Sequence, residues 1–277
     1  MEPEVFDSVL KCRRVEFIEF SRADVYADQI GRLQRLPRLK CISVHDVAFD
    51  QKSLAAIGQL PGLFEISIST PSFGEFSDED LAHFRNLESL QLLHLLDTYV
   101  TGEGFVYLSK LPNLRDALIV GNVFNDAGIA SLGRCPHIEV LELQGVDVTD
   151  DGLSGLTTLT NLKGFQCSST PFSDAAIKHL AKIDSLESLE LHGTRLTGRT
   201  LGELRSLKKL KMLHLGYLTL IEDDAIPELS TLQQIESLYL CGAGFSDEGR
   251  QRLKMAMPNT FVGFSGVPYQ RSTSESP

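Results

Sequence analysis

Residues 141–153 read Leu141-Glu142-Leu143-Gln144-Gly145-Val146-Asp147-Val148-Thr149-Asp150-Asp151-Gly152-Leu153. Leu141 and Leu143 alternate with polar residues, the period of a strand with one buried face. Gly145 follows, a residue that accepts the positive φ of a sharp turn. Thr149-Asp150 then carries a helix-start signature, a hydroxyl that accepts a free helical N–H and an acid suited to the positive helix end. Counted from Ile138, apolar residues fall at offsets 0, 3, 5, 10, 15, 18 and 21: Ile138, Leu141, Leu143, Val148, Leu153, Leu156 and Leu159. The first three offsets spell a strand, and the last three have helical spacing.

The same ruler fits outward in both directions. Downstream it finds Leu162, Phe165, Cys167, Phe172, Ile177, Leu180 and Ile183, then Leu186, Leu189, Leu191, Leu196, Leu201, Leu204 and Leu207. Upstream it finds Leu114, Ala117, Ile119, Phe124, Ile129, Leu132 and Cys135, and it reaches back to Val15, Ile18, Phe20, Val25, Ile30, Leu33 and Leu36. Phe49 fills the same place in the unit from Leu39. Unit starts at 15, 39, 63, 87, 114, 138, 162, 186, 210 and 235 give ten units with a period near 24. Two units break the ruler. The one from Leu63 has a lengthened loop at Ser69–Phe76 and a shortened helix, and the one from Leu87 gains three residues within His94–Tyr99.

No single unit can bury its own apolar face, so the units must stack. Each fully buried Leu or Phe contributes about 1.5–3 kcal/mol against the ordering entropy. Stacking lines the strands into a parallel sheet on the concave side and puts helices or helical turns on the convex side, an α/β architecture. Ser173-Asp174, Ser246-Asp247, Asn125-Asp126 and Ser77-Asp78 recur where each helix begins, so these carboxylates read as structural and not catalytic.

Composition narrows the partners. The chain has 277 residues, 42% of them hydrophobic, and a formal net charge of −11. That sign opposes a nucleic-acid or anionic-membrane partner held by bulk charge. No apolar run reaches membrane-spanning length, and the start Met1-Glu2-Pro3-Glu4 shows no secretory signal. The five cysteines, at 12, 41, 135, 167 and 241, form neither a CxxC pair nor a disulfide framework, which points to a reducing, cytoplasmic setting. Cys135 and Cys167 occupy core positions, and Cys41 faces outward without a visible partner. His83, His137 and His179 fall outside the strands as solvated residues, as does the Lys208-Lys209-x-Lys211 run.

The pattern L-x-x-L-x-L-x-G-x-x-V-[ST]-D-x-G-[IL]-x-x-L-x-x-L resembles the leucine-rich repeat family, in the T-D-x-G-L variety of bacterial proteins and F-box adaptors. The match covers about residues 15–264. The resemblance implies a right-handed horseshoe solenoid with a protein-binding concave surface, and it reads Met257-Pro258-Asn259-Thr260-Phe261-Val262 as a closing strand. Residues 1–14 are expected to form a helical cap through Val5, Phe6, Val9 and Leu10, and residues 265–277 a disordered tail. The residues ahead of the first unit are too few for an F-box.

Period 2 places offsets 4 and 6 outward on the concave face. The offset-4 row reads Glu19, Ser43, Ser67, Gln91, Leu118, Glu142, Gln166, Glu190, His214 and Tyr239. The offset-6 row reads Ser21, His45, Ser69, Leu93, Val120, Gln144, Ser168, His192, Gly216 and Cys241. Leu93, Leu118 and Val120 form an apolar patch, with Leu95 and Leu96 in the loop beside it. Such a patch is either a partner site or a surface covered by that loop. Glu190, His192, His214, Tyr217, Tyr239 and Cys241 form a second cluster, with the composition of a binding hot spot or of ordinary polar surface. Glu190, His192 and His214 are metal-ligating residue types, but their spacing matches no metal motif, and neither metal nor cofactor is expected. A nucleophilic Cys241–His214 pair is disfavoured by diagonal placement. The expected function is therefore a non-catalytic module that binds a protein or peptide partner through Leu93, Leu118, Val120, Glu142, Gln166, Glu190, His192, His214, Tyr217 and Tyr239. The alternatives are an enzyme regulator, either GTPase-activating or ubiquitin-ligase-adaptor-like, and a self-associating structural repeat protein. Arg22 and Arg195 are arginine-finger candidates by position alone.

Overall fold

The structure is a computed structural model that describes residues 3–21, 26–47, 50–70, 76–121 and 123–264. The core positions expected at Val25 and Phe49, the candidate Arg22 and the tail at 265–277 lie outside the described residues. Among the described residues eleven strands form one parallel sheet in chain order. They are β1 (Phe17–Ser21), β2 (Cys41–His45), β3 (Glu65–Ser69), β4 (Leu92–Leu96), β5 (Asp116–Val120), β6 (Val140–Gln144), β7 (Gly164–Ser168), β8 (Ser188–His192), β9 (Met212–Gly216), β10 (Ser237–Tyr239) and β11 (Phe261–Gly263). The opposite layer mixes α-helices, such as Asp126–Leu132, Asp174–Leu180 and Asp247–Ala256, with 3₁₀ turns such as Gly152–Thr158 and Leu201–Ser206. An N-terminal helix, Pro3–Val9, delivers Phe6 to the core. One continuous apolar core runs between the layers from Phe6 to Val262.

Registers between neighbouring strands repeat with the period of the sequence. Leu141 pairs Phe165, Phe165 pairs Leu189, and Leu189 pairs Leu213, and all four side chains are buried. The turn after the strand has positive φ at Gly121, Gly145, Gly193 and Gly242, as expected. It also has positive φ at Asp46, Asp97, Ser169 and Tyr217, so the turn takes this conformation in several units without glycine.

The helix-start signature has a second role beyond capping. Asp126 accepts hydrogen bonds from the Thr149 N–H and hydroxyl, at 2.8 and 2.7 Å. Asp150 does the same for Ser173, Asp174 for Thr197 and Asp223 for Ser246. Asp78 accepts from the Thr101 N–H and hydroxyl and from the Gly102 and Gly104 N–H groups. Thr149, Ser173 and Ser246 therefore each accept a backbone N–H at the start of their own helical segment while being held by the acid of the preceding unit. The glycine two residues after that acid's position allows the close approach. A Cβ at Gly104 would overlap the Asp78 carbonyl oxygen, and one at Gly128 the Thr101 carbonyl oxygen. At the start of the strands, Arg115, Glu139, Lys163, Glu187, Lys211 and Glu236 alternate in sign from one unit to the next. Ion pairs join Arg115 to Glu139 at 3.4 Å, Lys163 to Glu139 at 2.6 Å and Lys211 to Glu236 at 2.9 Å. A slip by one unit would set like charges side by side.

One register expectation is overturned. The fourth unit begins at Leu90, not Leu87, because β4 pairs Leu93 with Ala117 and Leu95 with Ile119. Leu93 and Leu95 are fully buried in the core. Leu93 is therefore not a concave residue, and His94 and Leu96 take the outward places assigned to Gln91 and Leu93. The three extra residues fall in the sequence between β3 and Phe76, and the helical turn that follows, Asp78–Phe84, is not shortened.

Leu93→Ala should cost about 2–5 kcal/mol through lost burial and the cavity left behind. Leu96→Ala should cost less than about 1 kcal/mol, as a surface change does, with urea midpoints as the readout. Equal or reversed costs would contradict the register. Asp150→Ala should cost about 1.5–3 kcal/mol by removing charged acceptors from Ser173. In the same assay Asp151→Ala, whose carboxylate is almost fully exposed, should leave the midpoint nearly unchanged.

Candidate functional site

The corrected offset-4 row runs Glu19, Ser43, Ser67, His94, Leu118, Glu142, Gln166, Glu190, His214 and Tyr239, each paired with the next across the sheet. At its centre, Leu92 and Leu96 on β4 and Leu118 and Val120 on β5 give the concave face an apolar stretch. Leu118 is only 8% exposed, yet it is not part of the continuous core. Its neighbours on the concave face, not the helical layer, shield it. Leu92, Leu96 and Val120 are half-buried. The patch survives the register correction with Leu92 and Leu96 in place of Leu93.

Beyond it, Gln166 Nε2 donates to Glu142 Oε1 at 3.2 Å. The polar row then gives way to imidazoles and aromatic rings on β8 to β11. The His192 and His214 ring centroids lie 4.3 Å apart, His214 and Tyr239 5.4 Å, and Tyr239 and Phe261 5.6 Å. Strand spacing brings rings on successive strands into this column. Glu190 sits against both imidazoles: its Oε2 is 3.7 Å from His192 Nε2 and 3.6 Å from His214 Nδ1. Burial, helped by the neighbouring His214, lowers the His192 pKa, with the Glu190 charge opposing. Gly216 lies opposite His192 in the register, and the imidazole ring rests against it.

Tyr217 stands at the rim of this cluster. Its φ is +57°, its side chain is 70% exposed, and its N–H donates to the Cys241 carbonyl at 2.6 Å. Left-handed backbone under a bulky side chain costs about 1 kcal/mol relative to glycine. Cys241 falls just past the end of β10. Among the described residues no hydrogen bond joins its thiol to His214, so the nucleophilic pair is not assembled. Arg195 is an exposed residue in the loop after β8.

A third group was not anticipated. Cys41 on β2 donates its thiol hydrogen to Glu65 Oε2 on β3 at 2.9 Å, and Glu65 Oε1 is 3.6 Å from His94 Nδ1 on β4. Cys41 is thus partnered, contrary to expectation. Burial, followed by the hydrogen bond and charge of Glu65, pushes its thiol pKa to about 12. A thiol held protonated in this way is a poor nucleophile. Cys135 and Cys167 are buried, as expected, with thiols also raised to about 12 by burial. His179 is not a solvated residue but half-buried, 3.5 Å from Asp151. His83 holds a hydrogen bond to Gln51.

Tyr217→Gly should raise stability by up to about 1 kcal/mol in urea titration, because glycine relieves the left-handed strain. A loss of stability would show that the Tyr217 ring supports the fold instead of standing free on the rim.

No protein-family model matches the chain. No curated protein matches it either. Among solved structures, it is similar to an internalin of Listeria monocytogenes, with a TM-score of 0.53 and 16% sequence identity over 95% of this chain and 87% of that one. With the single open parallel sheet, this similarity identifies the fold as a leucine-rich-repeat solenoid.

Proposed function

We propose that the chain is a non-catalytic interaction module that takes a protein or peptide partner on its concave face, between Leu92 and Tyr239. The observation that carries this reading is Tyr217, a bulky exposed side chain on a left-handed backbone that four other units give to glycine. Strain of this kind is retained where a side chain has work to do. The strands beneath are fixed by their neighbours, so the surface loses little freedom when a partner binds. Leu92, Leu96, Leu118 and Val120 offer apolar contact. Glu142, Gln166, Glu190, His192, His214 and Tyr239 add polar and aromatic groups of the kind that anchor interfaces. The Asp residues that hold one unit to the next are engaged with Ser and Thr, which favours a structural role for them over catalysis. The net charge of −11 favours a protein partner over nucleic acid or an anionic membrane. No described helix is long and apolar enough to cross a membrane. All five cysteines are free thiols, in keeping with the cytoplasmic location we propose.

Affinity capture should be run with the wild-type chain, a Tyr217→Gly/Tyr239→Ala variant and the convex-side control Arg205→Ala. A partner held by wild type and control, and weakened at least about tenfold in the concave variant, is the expected outcome. Equal capture by all three contradicts a concave site. Light scattering should report a monomer; a dimer that Leu96→Glu dissociates would assign the same surface to self-association.

A further inference from the structure

We infer that Glu190, His192 and His214 form a binding site for a divalent transition-metal ion of the Zn²⁺ class on the concave face. Among the described residues, this is the group of imidazole, thiol and carboxylate side chains whose ligand atoms converge, all lying within 4.8 Å of one another. The sheet produces the convergence. Glu190 and His192 are alternate residues of β8 and share its outward face. His214 on β9 is the registered partner of Glu190. Glu190 Oε2 is at 3.6 and 3.7 Å from the two imidazole nitrogens. An ion about 2.0–2.2 Å from each donor in a tetrahedron holds neighbouring donors roughly 3.3–3.6 Å apart, so small side-chain shifts close the site.

A second observation is independent of that spacing. His192 Nε2, one of the converging atoms, is buried and has no hydrogen-bond partner. Buried polar atoms are normally satisfied, and an orphan of this kind needs an explanation. A nitrogen set beside a carboxylate and a second imidazole gains a partner when a metal ion binds among them. The His192 ring packs over Gly216, its registered neighbour on β9.

Two imidazoles and a carboxylate suit Zn²⁺. Three protein donors leave a fourth position, taken by water or by a donor group of a molecule in the groove. The site does not depend on the partner-binding reading, and its test needs no partner. The 277-residue chain, free of any histidine tag and stripped with chelator, is titrated with ZnCl₂ by calorimetry, and Co²⁺ is added separately as a spectroscopic probe. The expected result is one equivalent of Zn²⁺ per chain and the visible absorption of low-coordinate Co²⁺, which Zn²⁺ displaces. Glu190→Gln, which keeps the shape of the side chain, and His214→Ala should each weaken Zn²⁺ by at least about 100-fold. His137→Ala, outside the sheet, should bind like wild type, and circular dichroism checks that every variant is folded. No uptake of Zn²⁺ overturns the site, as does uptake that folded Glu190→Gln and His214→Ala retain unchanged.

Discussion

Each unit presents an apolar face that only the next unit can close, and this constraint governs the rest of the molecule. The side chains at Leu141, Phe165, Leu189 and Leu213 meet because their strands pair in register, and the strands pair in register because those side chains must meet. Burial supplies the energy but does not by itself choose which unit follows which. The alternating charges from Arg115 to Glu236 and the acid-to-hydroxyl bonds between units supply that choice.

The T-D-x-G motif is explained by the same contact. Its hydroxyl starts a helical segment and is held from behind. Its acid holds the hydroxyl of the unit ahead. Its glycine leaves room for the preceding unit's carboxylate, as Gly152 does for Asp126 and Gly249 for Asp223. Where glycine replaces the acid, at Gly102 and Gly198, the following unit closes without that bond. At Gly102 the backbone packs on Phe124 and Gly128 instead.

Most of the fold was legible because the ruler is redundant across units. The error came where the redundancy failed locally. Leu87-x-x-Leu90-x-Leu92 and Leu90-x-x-Leu93-x-Leu95 fit the strand pattern equally well. The deciding signal was the distance to the next unit: Leu114 lies one undisturbed period after Leu90. Insertions belong in loops ahead of the helical segment, because extra residues between a strand and its turn would break pairing with both neighbours. The inter-unit acid bonds were not legible, since Asp150 and Ser173 lie a full period apart and each already has a plausible local role. For the same reason the group of Cys41, Glu65 and His94 escaped notice, its members coming from three successive units. Glu190, His192 and His214 were recognisable as ligand types, but their convergence follows from strand register, which linear spacing does not display. On such a scaffold a site is assembled across neighbouring strands, so its signature in sequence is recurrence at one period and not a compact motif.

The central claim, that stability is built from unit-to-unit contacts along one axis, is tested most directly by removing residues 138–185, two whole units, and measuring urea unfolding. The deletion places Glu187 beside Arg115 and Thr197 ahead of Asp126, which preserves the sign alternation and the acid-to-hydroxyl bond. A solenoid predicts a folded, cooperative chain whose m-value falls by roughly a sixth, in proportion to the surface it exposes. A chain that loses cooperative unfolding altogether would contradict the account.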